Sequence, residues 1–348
     1  MNALSSLYAR VAKKVLRESL SVKKGEAVTV EAWNNGIDFA RVVVAEARTM
    51  GCTAVLVLED EDAYVEGVRR SPKDTIGLMG RNEYGLLEGT DAYVFIPGPL
   101  LATYQTRVDP QLMSKSTRYN SSWYDAAEKA KLRGARLTFG YIGEEMAGLT
   151  GRTVQQLTEK QLNAALVDFE DISVTARKLS SILADGSETS LFTGGSHLEA
   201  TLKGETAIED GAVSPQDVKS GNSMTYVPPG FVSKEVDPGS ATGTLKISKS
   251  VTKLGLLKDA KLTFEEGKLV AWQSKDMPML NQLVKAVPEE ERKLTVLIVG
   301  INPRMDYLFG QDRMVAGAVN VSGFGFTACM RGADLTVGGR KVVTGGKL

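Results

Sequence analysis

Histidine is almost absent from this sequence: His197 stands alone among 348 residues. Imidazole is the commonest metal ligand and the usual proton carrier near neutral pH. An ordinary histidine-built zinc or iron centre is therefore excluded, and any Ser–His or Cys–His pair must use this one residue. His197 follows Gly194-Gly195-Ser196 at the entry to a strand, which reads as a surface turn. Cysteine is scarce too. Cys52 and Cys329 lack a second Cys or a His at metal-ligand spacing, which removes zinc-finger and CxxC chemistry. With no secretory signal expected, a disulfide between them is not expected either.

Long apolar runs are also missing, and no segment approaches the roughly 20 apolar residues of a membrane span. The first twenty residues interleave apolar positions with Arg10, Lys13, Lys14 and Arg17, so they read as a surface helix and not a signal peptide. The expectation is a cytoplasmic protein with no membrane partner. Charge of one sign is not in excess: 42 basic residues meet 42 acidic ones, for a net charge of zero. Nucleic-acid binding needs a basic face that displaces counterions, and no basic run advertises one.

Glycine is plentiful, at 35 residues, yet its arrangement excludes familiar phosphate loops. There is no GxxxxGK[ST], and no GxGxxG that follows a strand and opens a helix. Gly323-Phe324-Gly325 reads as a tight bend. GxSxG is absent as well, so a nucleophile elbow is not indicated.

What is present alternates strand and helix in the first half. Ala3–Leu20 and Asp38–Met50 have helical apolar spacing, Gly51 supplies a C-cap, and Ser122–Leu132 is a further helix. Ala27–Ala32, Thr53–Leu58, Asp91–Ile96 and Arg136–Tyr141 read as strands, giving a parallel sheet with helices on both faces. A long helix over about Val154 to Leu183 bridges the halves. After Gly186 the segments become short and strand-like, punctuated by Gly, Pro, Asp and Ser: Thr189–Phe192, Leu198–Leu202, Gly243–Ile247, Lys261–Phe264 and Leu269–Gln273. A helix over Met277–Ala286, a strand over Leu294–Val299 and a closing hairpin around Gly338-Gly339 complete the pattern. The reading is an α/β chain, with an N-terminal parallel α/β domain over residues 1–180 and a mainly antiparallel α+β domain over residues 181–348.

One set of motifs goes further. Val227-Pro228-Pro229-Gly230-Phe231-Val232 is followed by Gly243-Thr244-Leu245 and by Leu262, Phe264 and Gly267-Lys268-Leu269-Val270. Gly300-Ile301-Asn302-Pro303, Asp312 and Gly317-Ala318-Val319-Asn320 come next, and Leu20-Ser21-Val22-Lys23-Lys24-Gly25-Glu26-Ala27-Val28 stands near the start. In order and spacing these resemble the thermophilic aminopeptidases (the aminopeptidase T and S family) and their relative 2,5-dihydroxypyridine dioxygenase.

The resemblance implies a dinuclear metal site in the second domain. Its ligands are a Glu in P-P-G-E-V, a Glu before G-I-G-x-N-P, a His in G-T-V-H and a downstream His-x-His or His-x-Asp. Carried over, those positions fall on Phe231, Val296 and Asn320, with the last pair near Gly325 and Thr327. Phenylalanine and valine ligate no cation, and asparagine offers only a neutral oxygen. The dioxygenase branch fails by the same reasoning. The implied protein has no metal and no cofactor and keeps the former cleft for a peptide or small molecule, lined by Phe231, Val296, Asn320, Tyr226, Arg304, Tyr307, Asp312 and Arg313. Family members usually dimerise, so a homodimer is expected.

Two other readings stay open. One is a hydrolase with a relocated, carboxylate-based Mg²⁺ or Ca²⁺ site drawn from Glu235, Asp237, Glu265, Glu266, Asp306, Asp312 and Asp334. The other is an interaction role beside an active paralogue.

Overall fold

The structure, a computed structural model, describes residues 3–101, 103–307 and 311–348. Its strands, in chain order, are β1 (Ala27–Trp33), β2 (Thr53–Glu59), β3 (Ala92–Ile96), β4 (Arg133–Leu137), β5 (Glu188–Thr193), β6 (Ser196–Glu209), β7 (Met224–Val227) and β8 (Phe231–Val236). They continue with β9 (Thr242–Thr252), β10 (Gly255–Glu265), β11 (Lys268–Gln273), β12 (Val296–Gly300), β13 (Val319–Ser322), β14 (Ala328–Met330), β15 (Asp334–Val337) and β16 (Arg340–Val343). The chain is mixed α/β, with a five-stranded parallel sheet and an eleven-stranded antiparallel sheet.

Two compact units divide it: Met1–Leu166 with Gly211–Pro228, and Val167–Asp210 with Pro229–Leu348. The sequence suggests one passage between halves near residue 180. In the structure the chain passes three times, at 166/167, 210/211 and 228/229.

The first unit holds the parallel sheet in the order β2-β1-β3-β4-β7. Alternation sorts its residues cleanly. Val28, Val30 and Ala32 of β1, Val94 and Ile96 of β3, Ala135 and Leu137 of β4 and Val227 of β7 bury together under Phe39, Val43 and Ala47 of the helix Ile37–Thr49. Full burial of a Val or Leu side chain contributes about 1.5–3 kcal/mol, so this face is the main stabiliser of the unit. The opposite face carries Glu31, Tyr93, Phe95, Arg136 and Tyr226.

Several expectations shift here. The fourth strand runs Arg133–Leu137, and Thr138–Tyr141 is a 3-10 turn, because Gly140 lies against the backbone of Pro97 and Gly98 where a pleated strand would not fit. The single long helix is two helices, Val154–Ala165 and Phe169–Ile182. Asp168 stops the first from continuing by capping the second, its carboxylate accepting from Glu170 N at 2.9 Å. Tyr226, expected in the second-domain cleft, belongs to β7, which closes the parallel sheet by pairing with β4.

The second unit is the antiparallel sheet with the helix Phe169–Ile182 on it. Ile172, Ala176 and Leu179 of that helix join Val232, Leu245, Leu262, Phe264, Leu297 and Val299 in one core. The helix Met277–Lys285 adds Leu280 and Val284 to the same core.

Candidate functional site

β12 lies between β8 and β13, with β14 beyond, all antiparallel. Val232, Leu297, Val299, Val319, Val321, Ala328 and Met330 point into the core. The intervening residues, Phe231, Val296, Ile298, Gly300, Asn320 and Cys329, share the other face by the two-residue period of the pleat. Phe231 stands opposite Gly300, Ile298 opposite Asn320, and Asn320 opposite Cys329.

The Pro-Gly and Gly-Ile-Asn-Pro motifs form the frame of this face. Asn302 is fully buried; its amide donates to Pro229 O at 2.7 Å and its Oδ1 accepts from Arg304 N at 2.9 Å. Gly230 has φ +123°, a region closed to ordinary side chains, and a Cβ there would strike the Asn302 backbone. Gly300 has no room for a side chain either, since the Val315 carbonyl occupies it. These glycines let three segments touch at backbone distance.

Charge gathers on the far side of Asn320. Asp312, buried, pairs with Arg331 at 3.0 Å. The Arg331 guanidinium lies 4.2 Å from the centre of the Tyr307 ring, and that of Arg313 lies 5.1 Å from the centre of Phe231. Burial pushes the Cys329 thiol far above its usual range; the Asp312 charge pushes the same way and Arg331 opposes it. Tyr307 is pushed up to about 12, by burial first and then by the neighbouring Cys329. Asn320 is 1% exposed and makes one long hydrogen bond, to Ala318 O at 3.5 Å.

The structure thus brings Phe231, Asn320, Tyr307, Asp312 and Arg313 onto one face and the loop beside it. Val296 shares the face but lies four residues along β12 from the partner of Phe231, roughly 13 Å away at the rise of a strand. Arg304 is exposed on the loop after Asn302, and Tyr226 is in the first unit.

The donors gathered on this face and its loop are the carboxylates of Asp312 and Asp306, one carboxamide and one thiol, beside two guanidiniums. That set does not fit a two-metal centre, which needs several carboxylate or imidazole ligands. Among the described residues, no three His, Cys, Asp or Glu side chains converge to hold a metal ion. His197 is elsewhere, stacked on Phe192 at 4.1 Å across the β5–β6 hairpin.

Sequence reasoning missed Cys329 and Arg331. Their signal was available only as pairing: β14 is three residues long, and its register against β13 puts Cys329 opposite Asn320 and Arg331 one step past the strand end.

No protein-family model matches the chain, and no curated protein matches it. Among solved structures it is similar to wild-type AmpT (aminopeptidase T) from Thermus thermophilus, with a TM-score of 0.72 over 99% of each chain at 14% identity. The two-domain aminopeptidase T fold is therefore the fold of this chain.

Proposed function

We propose that this protein binds a peptide or small acid by its carboxylate, at the face around Asn320, and does not hydrolyse it by metal chemistry. One observation carries the reading. Where the resemblance expects ligands for cations, the face offers cations itself, Arg313 stacked on Phe231 and Arg331 stacked on Tyr307. Guanidiniums repel divalent ions and match carboxylates in a planar fork. Asp312 orients Arg331 through its ion pair. Phe231 and Tyr307 give the arginines apolar surfaces that suit a site taking an organic acid. A homodimer belongs to the same reading.

Calorimetric titration with the tripeptide Leu-Gly-Gly and with its C-terminal amide tests it. The free acid is expected to bind at least about tenfold more tightly than the amide, the worth of one charge-assisted contact. Leucine release is expected to stay at background with added Zn²⁺, Co²⁺ or Mg²⁺. Metal-dependent release of leucine, or no heat with the free acid, overturns the proposal.

A further inference from the structure

The charged face of the parallel sheet and the helix Arg118–Ala130 line a partly open cavity of about 80 Å³. Its floor is a register row across three strands: Glu31 of β1 pairs with Phe95 of β3, and Phe95 pairs with Arg136 of β4. Strands lie about 4.8 Å apart, so the backbones of Glu31 and Arg136 stand roughly 10 Å apart with the Phe95 ring between them. Trp123 and Tyr124 of the helix line the roof.

The two ends of this row carry opposite charge and are not joined. The Arg136 guanidinium lies 5.1 Å from the centre of Phe95 and 6.0 Å from that of Tyr226, and donates to the Tyr141 hydroxyl at 3.0 Å. Among the described residues no carboxylate pairs with it. At the other end Glu31 accepts from Tyr93, and the Glu59 and Glu83 charges bear on it or on each other there. The Arg136 charge reaches Glu31 and opposes the rise that burial and Glu83 impose on it, but no hydrogen bond joins the two, so each end keeps a desolvation cost that is only partly offset. A larger cavity, about 260 Å³, lies among Asn35, Gly36, Gly140 and Gly143, but its lining has acids and no basic group.

We propose that the Glu31–Arg136 cavity is a binding site for a small aromatic zwitterion: its carboxylate on the Arg136 guanidinium, its ammonium on Glu31, and its ring against Phe95 and Trp123. One molecule then satisfies both ends at once. Aromatic walls select a planar body, and the acid end selects an amine over a neutral group. The site lies wholly within the first unit and does not depend on the peptide site proposed above.

Calorimetry and the fluorescence of Trp123, assigned with a Trp123→Phe variant, test it with three probes. L-Phenylalanine carries both charges, 3-phenylpropanoate lacks the amine, and phenethylamine lacks the carboxylate. L-Phenylalanine is expected to bind at least about tenfold more tightly than either truncated probe. Arg136→Gln is expected to weaken L-phenylalanine and 3-phenylpropanoate about tenfold and to leave phenethylamine unchanged; Glu31→Gln is expected to do the converse. Three equal affinities, no binding of L-phenylalanine, or a folded Arg136→Gln variant that binds it as wild type does, overturns the proposal. Should that variant fail to fold, the three-probe comparison on the wild-type protein decides alone. Leu-Gly-Gly binding that survives Arg136→Gln separates this site from the one in the second unit.

Discussion

The two sheets each set an apolar face against a charged one, and they treat the charge differently. On the antiparallel sheet one pair is matched within the protein, Asp312 holding Arg331 at 3.0 Å, while Arg313 lies over the Phe231 ring. On the parallel sheet it is sorted by sign, acids near Glu31 at one end and Arg136 at the other, with an aromatic ring between. A matched pair fixes a side chain in place. Sorted charges stay apart, with the ring between them.

Breaking the matched pair is expected to cost most. Asp312→Asn leaves Arg331 without its carboxylate beside a buried thiol, and a loss of about 2–3 kcal/mol is expected in urea unfolding; the figure lies below that of a fully buried pair because Arg331 is 31% exposed. The sorted end sharpens the contrast. Arg136→Met removes a guanidinium that has no carboxylate partner, so its stability is expected within about 1 kcal/mol of wild type. Equal losses for the two variants would erase the distinction.

A smaller effect comes from Glu59, whose carboxyl is raised to about 7 by burial first, then by the Glu31 and Glu83 charges. The folded protein therefore holds a proton that the unfolded chain releases near the ordinary value of 4.5. Stability from this group is lost as pH rises between about 4.5 and 7 and is fully absent above that window. Glu59→Gln is expected to be neutral at pH 4 and more stable by about 1–2 kcal/mol at pH 8, since Glu59 is only partly buried and solvent screens its neighbours. Thermal melts across that range check the sign.

The smallest effect is chemical. Cys329, buried and held protonated, is expected to resist iodoacetamide at pH 8 in the native protein. Asp312→Asn removes a charge that holds the thiol up, so labelling at Cys329 is expected to rise severalfold, read by peptide mass.

Much of the architecture was legible from periodicity. The apolar run Thr53–Leu58 marks β2, yet that strand is not buried on both faces as such a run suggests: it lies at the sheet edge with Val55, Leu56 and Leu58 exposed. Asp91–Ile96 marks β3, and the Gly338-Gly339 turn marks the β15–β16 hairpin. Short helices were not. Glu61–Arg70, Arg81–Glu88 and Pro110–Ser116 escaped notice, although Asp60 and Asp109 cap two of them by accepting from backbone amides. The conformation of Gly230 and the buried Asn302 sit where the Pro-Pro-Gly and Gly-Ile-Asn-Pro motifs had pointed. The contents of the charged faces were harder. Arg331 reaches Asp312 across 19 positions and Arg136 meets Glu31 only through Phe95 of an intervening strand, so no local spacing encodes either relation.

The threefold passage of the chain between units has a consequence for synthesis. β7 completes the parallel sheet yet is made only after β5 and β6, which belong to the other unit. A ribosome adds about 5–20 residues per second, so the N-terminal sheet waits seconds with the β4 edge unpaired while strands of its neighbour emerge. Fragments cut near residue 180 or 210 inherit that open edge, and a chaperone or a protease meets it first during translation.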